Sequence, residues 1–387
     1  MQAIVRICQL VDGMPLGLEL AAPWIRLLSC AEISEEIEKN LDFLTSAHQN
    51  IPERHRSMRA VFNQSWEMLT PAEQAVFSSL SLFVGGFSRE AAEQAAGASL
   101  PLLSGLLDKS LVRRLDNGRY DIHELLRQYA ASQLQQSADP YAAQSGFAAY
   151  YVDLVETAVD HLIGPEQQLW LDTLETEYDN LQAALSWSVA AQETETAVRL
   201  GAALGRYWWL RHPLIEGDNW LRQILALPGP HTAHRARAMC YAGMLARLRR
   251  DYSAAETWLT QCLQDQQQMG RSLDLGRTLN ELGMLYLEQG AFAQAQPLFE
   301  TWLALARQLE SAHGVTIALL NLGMTAQYQD HFQQAEAYYE EGLTPGPPAS
   351  FADQCGYDTQ QLQHPASGTA SMGTGAGDAV GKYAIES

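Results

Sequence analysis

Self-similarity at a fixed interval constrains this chain more than any other feature. Gly243, Gly283 and Gly323 stand forty residues apart, and each is followed by a methionine, Met244, Met284 and Met324. Tyr252, Phe292 and Phe332 keep the same interval, as do Ala255, Ala295 and Ala335, and Leu259, Phe299 and Tyr339. Four columns in register mean that one supersecondary unit is stacked several times, because a unit this short cannot bury its apolar face alone. Inside a unit the apolar spacing is helical twice over: Leu279, Leu282 and Tyr286, then Ala295, Leu298, Phe299 and Trp302, with a polar break at Gly290. Each unit is therefore a helix hairpin. A small residue such as Gly283 or Ala295 lets the paired helices approach, and the large residue of the next turn is expected to fill the neighbouring unit's groove. Trp220-Leu221 matches Trp258-Leu259 at an interval of 38, so a degenerate copy places the start of the array before residue 205.

The period organises the rest of the chain. Clear units fall at about 236–275, 276–315 and 316–343, inside a helical region that spans 139–343. Its first part carries Tyr150, Leu154 and Ala158, then Trp170, Leu174, Tyr178, Leu181 and Leu185, on single helix faces, as capping helices would. Residues 51–138 read differently. Thr70-Pro71-Ala72-Glu73 is a capping box with proline at the first helical position, and Ser88 starts another helix. Two short runs, Ser110 to Leu115 and Arg119 to His123, flank Asn117-Gly118, a strong local hairpin signal. Helices followed by a hairpin predict a winged helix, with a further helix from Glu124 to Leu134 leading out of it. The expected fold class is mainly α: a winged-helix domain followed by an α-α superhelix. The last segment, 344–387, has no period and holds seven glycines and four prolines, the composition of a disordered tail. The abrupt end of the period after Gly342-Leu343 reads as a truncated or frame-shifted end.

Charge and motifs exclude several functions. With 25 basic and 45 acidic side chains the chain carries a formal charge of -20, which repels a phosphate backbone. Across 51–135 nine basic and nine acidic residues cancel, and the candidate recognition helix, Leu100 to Lys109, is apolar. It offers no arginine or asparagine to base edges, which argues against direct DNA contact. Five widely spaced cysteines, Cys8, Cys30, Cys240, Cys262 and Cys355, fit a reduced cytoplasmic protein. Asp12 and Glu19 interrupt any signal-peptide core, and no run approaches the ~18 apolar residues of a membrane span. Ala376 to Tyr383 superficially resembles a phosphate loop, but alanine replaces the first glycine and tyrosine replaces the Mg²⁺-binding hydroxyl. His123-Glu124 lacks the second histidine of a zinc-protease motif, since Arg127 occupies that place, and His231 with His234 finds no further ligands nearby. No catalytic set and no metal site emerges, so the chain is not expected to be an enzyme.

The hairpin pattern resembles the tetratricopeptide repeat, with its usual unit lengthened. Three further stretches resemble the STAND regulatory ATPases and the tetratricopeptide-bearing bacterial transcriptional regulators among them. Leu10-Val-Asp-Gly-Met-Pro-Leu-Gly resembles their Gly-x-Pro segment, which would make 1–50 the remnant of a helical subdomain. Arg56 to Trp66, Leu69 to Gln74 and Leu82-Phe-Val-Gly-Gly-Phe-Ser88 resemble their winged helix. Tyr120-Asp-Ile-His-Glu-Leu resembles their Met-His-Asp motif, with Ile122 and Glu124 in place of the usual Met and Asp. Gly164-Pro-Glu-Gln and Glu177-Tyr-Asp-Asn-Leu continue the likeness into the repeats.

The resemblance implies a nucleotide switch in which Pro15 packs near the adenine and His123 senses the β-phosphate, once an upstream nucleotide-binding domain is supplied. It implies no cofactor in this chain and ATP or ADP with magnesium in a full-length relative. By analogy with the repeat, Met244, Arg277, Asn280, Met284, Leu320 and Met324 would line a concave face that binds a protein or small-molecule inducer. The expected function is a signal-sensing, protein-interaction module. The competing reading is an ATP-binding transcription factor acting directly on DNA.

Overall fold

A computed structural model describes residues 2–45, 57–211 and 214–343. The tail at 344–387, its phosphate-loop-like stretch, Arg56 and Cys355 lie outside the described residues. The chain separates into two compact units, Met1–Ala291 and Phe292–Ser387. The division falls between two helices of the repeat region.

The first unit opens with α1 (Gln2–Leu10), α2 (Pro15–Ala21) and α3 (Cys30–Lys39). Its next elements are α4 (Met58–Glu67), α5 (Pro71–Leu80), α6 (Arg89–Ala96), α7 (Leu100–Asp108), β1 (Arg113–Arg114), β2 (Tyr120–Asp121) and α8 (Glu124–Gln136). The capping box forms as expected. Thr70 Oγ1 accepts the Glu73 N–H, and Glu73 Oε2 accepts the Thr70 N–H at 2.8 Å. Ser88 caps α6 by accepting the Ala91 N–H at 3.0 Å. The hairpin is shorter than its sequence signal. Only Arg113↔Asp121 and Arg114↔Tyr120 pair, because the Asn-Gly turn closes as a wider loop in which Leu115 donates to the Arg119 carbonyl at 2.8 Å. Phe87 adds a third edge through two main-chain bonds with Tyr120, each 2.8 Å. Helices α5 to α7 and the hairpin keep the element order of a winged helix.

The helical array of this unit is α9 (Pro140–His161), α10 (Gln167–Thr176), α11 (Tyr178–Ala190), α12 (Thr194–Arg211), α13 (Leu214–Ala226), α14 (Ala233–Leu248), α15 (Tyr252–Met269) and α16 (Leu273–Glu288). Helices α9, α12, α14 and α16 pack successively side by side. The buried stripe of α9 is Phe147, Tyr151, Val152, Val155 and Ala158. Tyr150 and Leu154, expected on the core face, are half-buried beside it. Ala158 is buried as expected; a 22-residue helix with apolar residues on most sides has a broad apolar surface, so periodicity alone placed the other two positions one residue away.

The second unit contains α17 (Phe292–Gln308), α18 (Ala312–Tyr328) and α19 (Phe332–Leu343). The repeat columns meet inside single hairpins. A Cβ at Gly243 would stand 2.5 Å from Leu259 Cγ, and one at Gly323 would fall on the ring of Tyr339. The large residue therefore packs on the glycine of its own hairpin, which corrects the expectation that it fills the neighbour's groove. Ala255 and Ala335 are buried on the second helices for the same reason of close approach. Between consecutive hairpins Gly205 of α12 receives the ring of Tyr241 from α14.

These contacts predict that Gly243→Ala overpacks α14 against α15. The expected cost is about 1–3 kcal/mol, read as a lower urea midpoint for the transition that melts the first unit.

Candidate functional site

The Gly-x-Pro turn and the histidine, 108 residues apart in numbering from Pro15 to His123, come to one place. α1 ends in a turn in which Asp12 and Gly13 both take left-handed φ values, 49° and 65°, and Pro15 then starts α2. A cleft of about 480 Å³ lies between this turn and the region of α7, the hairpin and α8, lined by Asp12, Met14, Leu107, Val112, Arg113 and His123 among others. Pro15 is exposed, one residue beyond the lining.

His123 is the N-cap of α8, and its Nδ1 accepts the Leu125 N–H at 3.3 Å. An accepting Nδ1 leaves the proton of the neutral ring on Nε2. That atom is buried and has no hydrogen-bond partner among the described residues. Burial holds the imidazole below its ordinary pKa, and the Arg113 charge adds to this; Asp12, Glu124 and Asp121 oppose it. His123 is thus a neutral N–H donor at pH 7, next to one guanidinium. Arg113 is held by Asp121 at 2.8 Å, with Asp12 at 3.8 Å. Donor and cation together suit an oxyanion such as a phosphate, whose charge the guanidinium answers while the imidazole fixes orientation. Asp12 and Arg113 were not apparent from the sequence. Asp12 had only its place before Gly13 as a signal, and Arg113 only its place in the hairpin.

The expected partner-binding residues fall on the first helices of successive hairpins, α14, α16 and α18. Met244 is buried on α14, while Met284, Arg277 and Asn280 are half-buried on α16. The Arg277 guanidinium lies 5.6 Å from the centre of the Tyr241 ring. In the second unit Leu320 and Met324 are half-buried on α18. Along α9, α12, α14 and α16 Arg199 binds Glu156 at 2.6 Å and Arg237 binds Asp274 at 2.8 Å. A second cleft, about 200 Å³, lies beside Glu156, Asp160, Arg199, His234 and Arg237. His234 stands 3.8 Å from both Glu156 and Glu195, and His231 bonds Asp265 at 2.7 Å. Among the described residues no group of three or more His, Cys, Asp or Glu side chains could hold a metal ion, and no helix is long and apolar enough to cross a membrane. On α7 the exposed residues are Leu100, Pro101, Ser104 and Asp108, and the adjoining Lys109 is tied to Glu73.

Comparison with known proteins agrees with the repeat. The tetratricopeptide repeat family matches residues 274–344, which are repeats of that type. HTH-type transcriptional regulators of Mycobacterium tuberculosis and Mycobacterium bovis are 33% identical over 261 residues, 63% of this chain. This chain spans 29% of the length of those relatives. The regulatory protein AfsR of Streptomyces coelicolor is 25% identical over 398 residues, covering 88% of this chain and 38% of its own length. Among solved structures, a STAND protein with a tetratricopeptide repeat sensor from Pyrococcus horikoshii superposes with a TM-score of 0.43 at 12% identity, covering 87% of this chain and 53% of that one.

The cleft geometry fixes the sign of two substitutions. Arg113→Met removes a charge that lowers the His123 pKa and should move it up; Asp12→Asn removes one that raises it and should move it down. Imidazole NMR titration of the two variants reads both directions.

Proposed function

We propose that this chain is the signal-receiving part of a nucleotide-controlled regulator, in which the repeats bind an inducer or partner and the winged-helix region carries the answer to a bound nucleotide. The observation that carries this reading is the buried, unpartnered Nε2–H of His123 in a cleft shared with Arg113 and the Asp12–Met14 turn. A buried polar group without a partner costs about 1–3 kcal/mol, a cost removed when a ligand oxygen meets it. ADP fits the requirement, with the β-phosphate against His123 and Arg113. The cleft supplies one donor and one paired cation beside the Asp12 carboxylate. It would orient a phosphate and sense its presence, and the remaining phosphate contacts would come from a nucleotide-binding domain. Tetratricopeptide repeats at 274–344 and similarity to named transcriptional regulators support the regulatory reading.

Direct reading of DNA by α7 has no support from its surface, which shows no unpaired cation at Leu100, Pro101, Ser104 or Asp108. This holds although the mycobacterial relatives are named for a helix-turn-helix.

Calorimetric titration of the chain with ATP and ADP, with and without Mg²⁺, tests the proposal. Binding weaker than about 1 mM, with no phosphate released, is expected for half of a site, since a free energy of only about 4 kcal/mol corresponds to that affinity. Micromolar ATP binding or turnover by this chain would contradict it.

A further inference from the structure

Two stretches whose role the cleft does not explain, Val84-Gly85-Gly86-Phe87 and Glu177-Tyr-Asp-Asn180, meet in one buried joint. Glu177 immediately precedes α11 and is 7% exposed. Its carboxylate accepts from the Arg119 guanidinium, from the Tyr151 hydroxyl at 2.9 Å and from Asn180 Nδ2 at 2.9 Å. Asn180 is fully buried. Its Oδ1 accepts the Val84 N–H at 2.8 Å, and its Nδ2 also donates to the Gly86 carbonyl at 2.9 Å. Arg119 donates to the same Gly86 carbonyl at 3.0 Å. The backbone must come this close, because Gly86 has φ 71° and a Cβ there would stand 2.8 Å from the Tyr120 carbonyl.

We infer that this joint is the coupling device of the molecule: through Glu177 and Asn180 the helical repeats hold the hairpin that positions His123 in the cleft. The inference rests on the proposed regulatory reading for its purpose, but its geometry stands alone. Arg119, gripped by α9 and α11 through Glu177, is followed directly by Tyr120 and Asp121 of β2. Tyr120 is clamped to Phe87 on one side and paired with Arg114 on the other, and Asp121 holds Arg113. His123 comes two residues later. Four residues of extended chain, about 13 Å at strand spacing, separate the joint from the imidazole. A shift of α9 or α11 relative to the winged-helix region therefore pulls on the strand that ends at His123. A buried ion pair is a costly way to gain stability, since apolar replacements often do as well. It does fix a single register, because the guanidinium fork, the carboxylate and the amide fit together in one arrangement.

The test is the double variant R119M/E177Q in the full chain. Removing both charges avoids leaving one buried and unpaired, so the variant is expected to fold, with helicity checked by circular dichroism. The readouts are the His123 imidazole titration, in the field of Asp12, Arg113, Asp121 and Glu124, and hydrogen exchange of the Phe87 and Tyr120 amides. With the joint released, both amides should exchange roughly tenfold faster, and the His123 pKa should rise toward its ordinary value as the ring loses burial. If the double variant loses helicity, E177Q alone breaks the ion pair while leaving an amide that can still meet Tyr151 and Asn180, and gives the same reading. Unchanged exchange would show that the joint does not hold the hairpin, and faster exchange with an unchanged His123 titration would show that the hairpin does not set His123. Either result overturns the inference. No nucleotide is used, so failure of the nucleotide reading leaves this result separately legible.

Discussion

The ion pair between Arg119 and Glu177 is the contact on which the first unit's architecture turns. It brings together residues 58 apart in sequence, one in a two-stranded hairpin and one at the head of a helix in the array. Tyr151, Asn180 and the carbonyls of Gly85 and Gly86 surround the pair with hydrogen bonds, as a buried charge requires. Burial and the neighbouring carboxylate push the Tyr151 phenol far above its ordinary pKa, so it remains a donor to Glu177. The same contact ties the hairpin region to the first helices of the array through a desolvated network, while residues 137–139, which link α8 to α9 along the chain, are exposed.

The cleft on the far side of the hairpin shows what the chain can do chemically. A neutral imidazole with its proton on a buried nitrogen is a directional donor that does not depend on pH near 7, and Arg113 supplies charge already balanced by Asp121 and Asp12. A neutral donor beside a guanidinium has the chemistry to hold an oxyanion. Helices α9, α12, α14 and α16 hold a second, more polar surface of arginine-carboxylate pairs, where Arg277 over Tyr241 and the half-buried Met284 give a face that mixes apolar and charged contact.

Much of this was legible in the sequence, and the physical basis of what was not is specific. The columns Gly243 with Leu259 and Gly323 with Tyr339 were visible because a glycine-to-large contact inside a hairpin repeats at a fixed interval. The capping box at Thr70 and the N-cap at Ser88 were visible because their chemistry is local. On α9 Ala158 was placed correctly, but Tyr150 and Leu154 stand one residue from the buried Tyr151 and Val155, since small and aromatic residues surround that helix and periodicity cannot rank them. Met244 follows its glycine like Met284 and Met324 but is buried, because its neighbours differ although its position in the repeat does not. The joint and the cleft were beyond reach for one reason: Arg119 with Glu177, and Asp12 with His123, are long-range encounters that leave no local pattern. Only the motifs that contain them were noticed.

Helices α9 and α11 and the hairpin that leads to His123 behave as one body. Native-state amide hydrogen exchange along the unmodified chain tests it most directly. The account predicts that the amides of Val84, Phe87 and Tyr120 open together with those of α9 and α11, at one common free energy of opening. Exchange of the hairpin amides at a distinctly lower free energy, independent of α9 and α11, would contradict it.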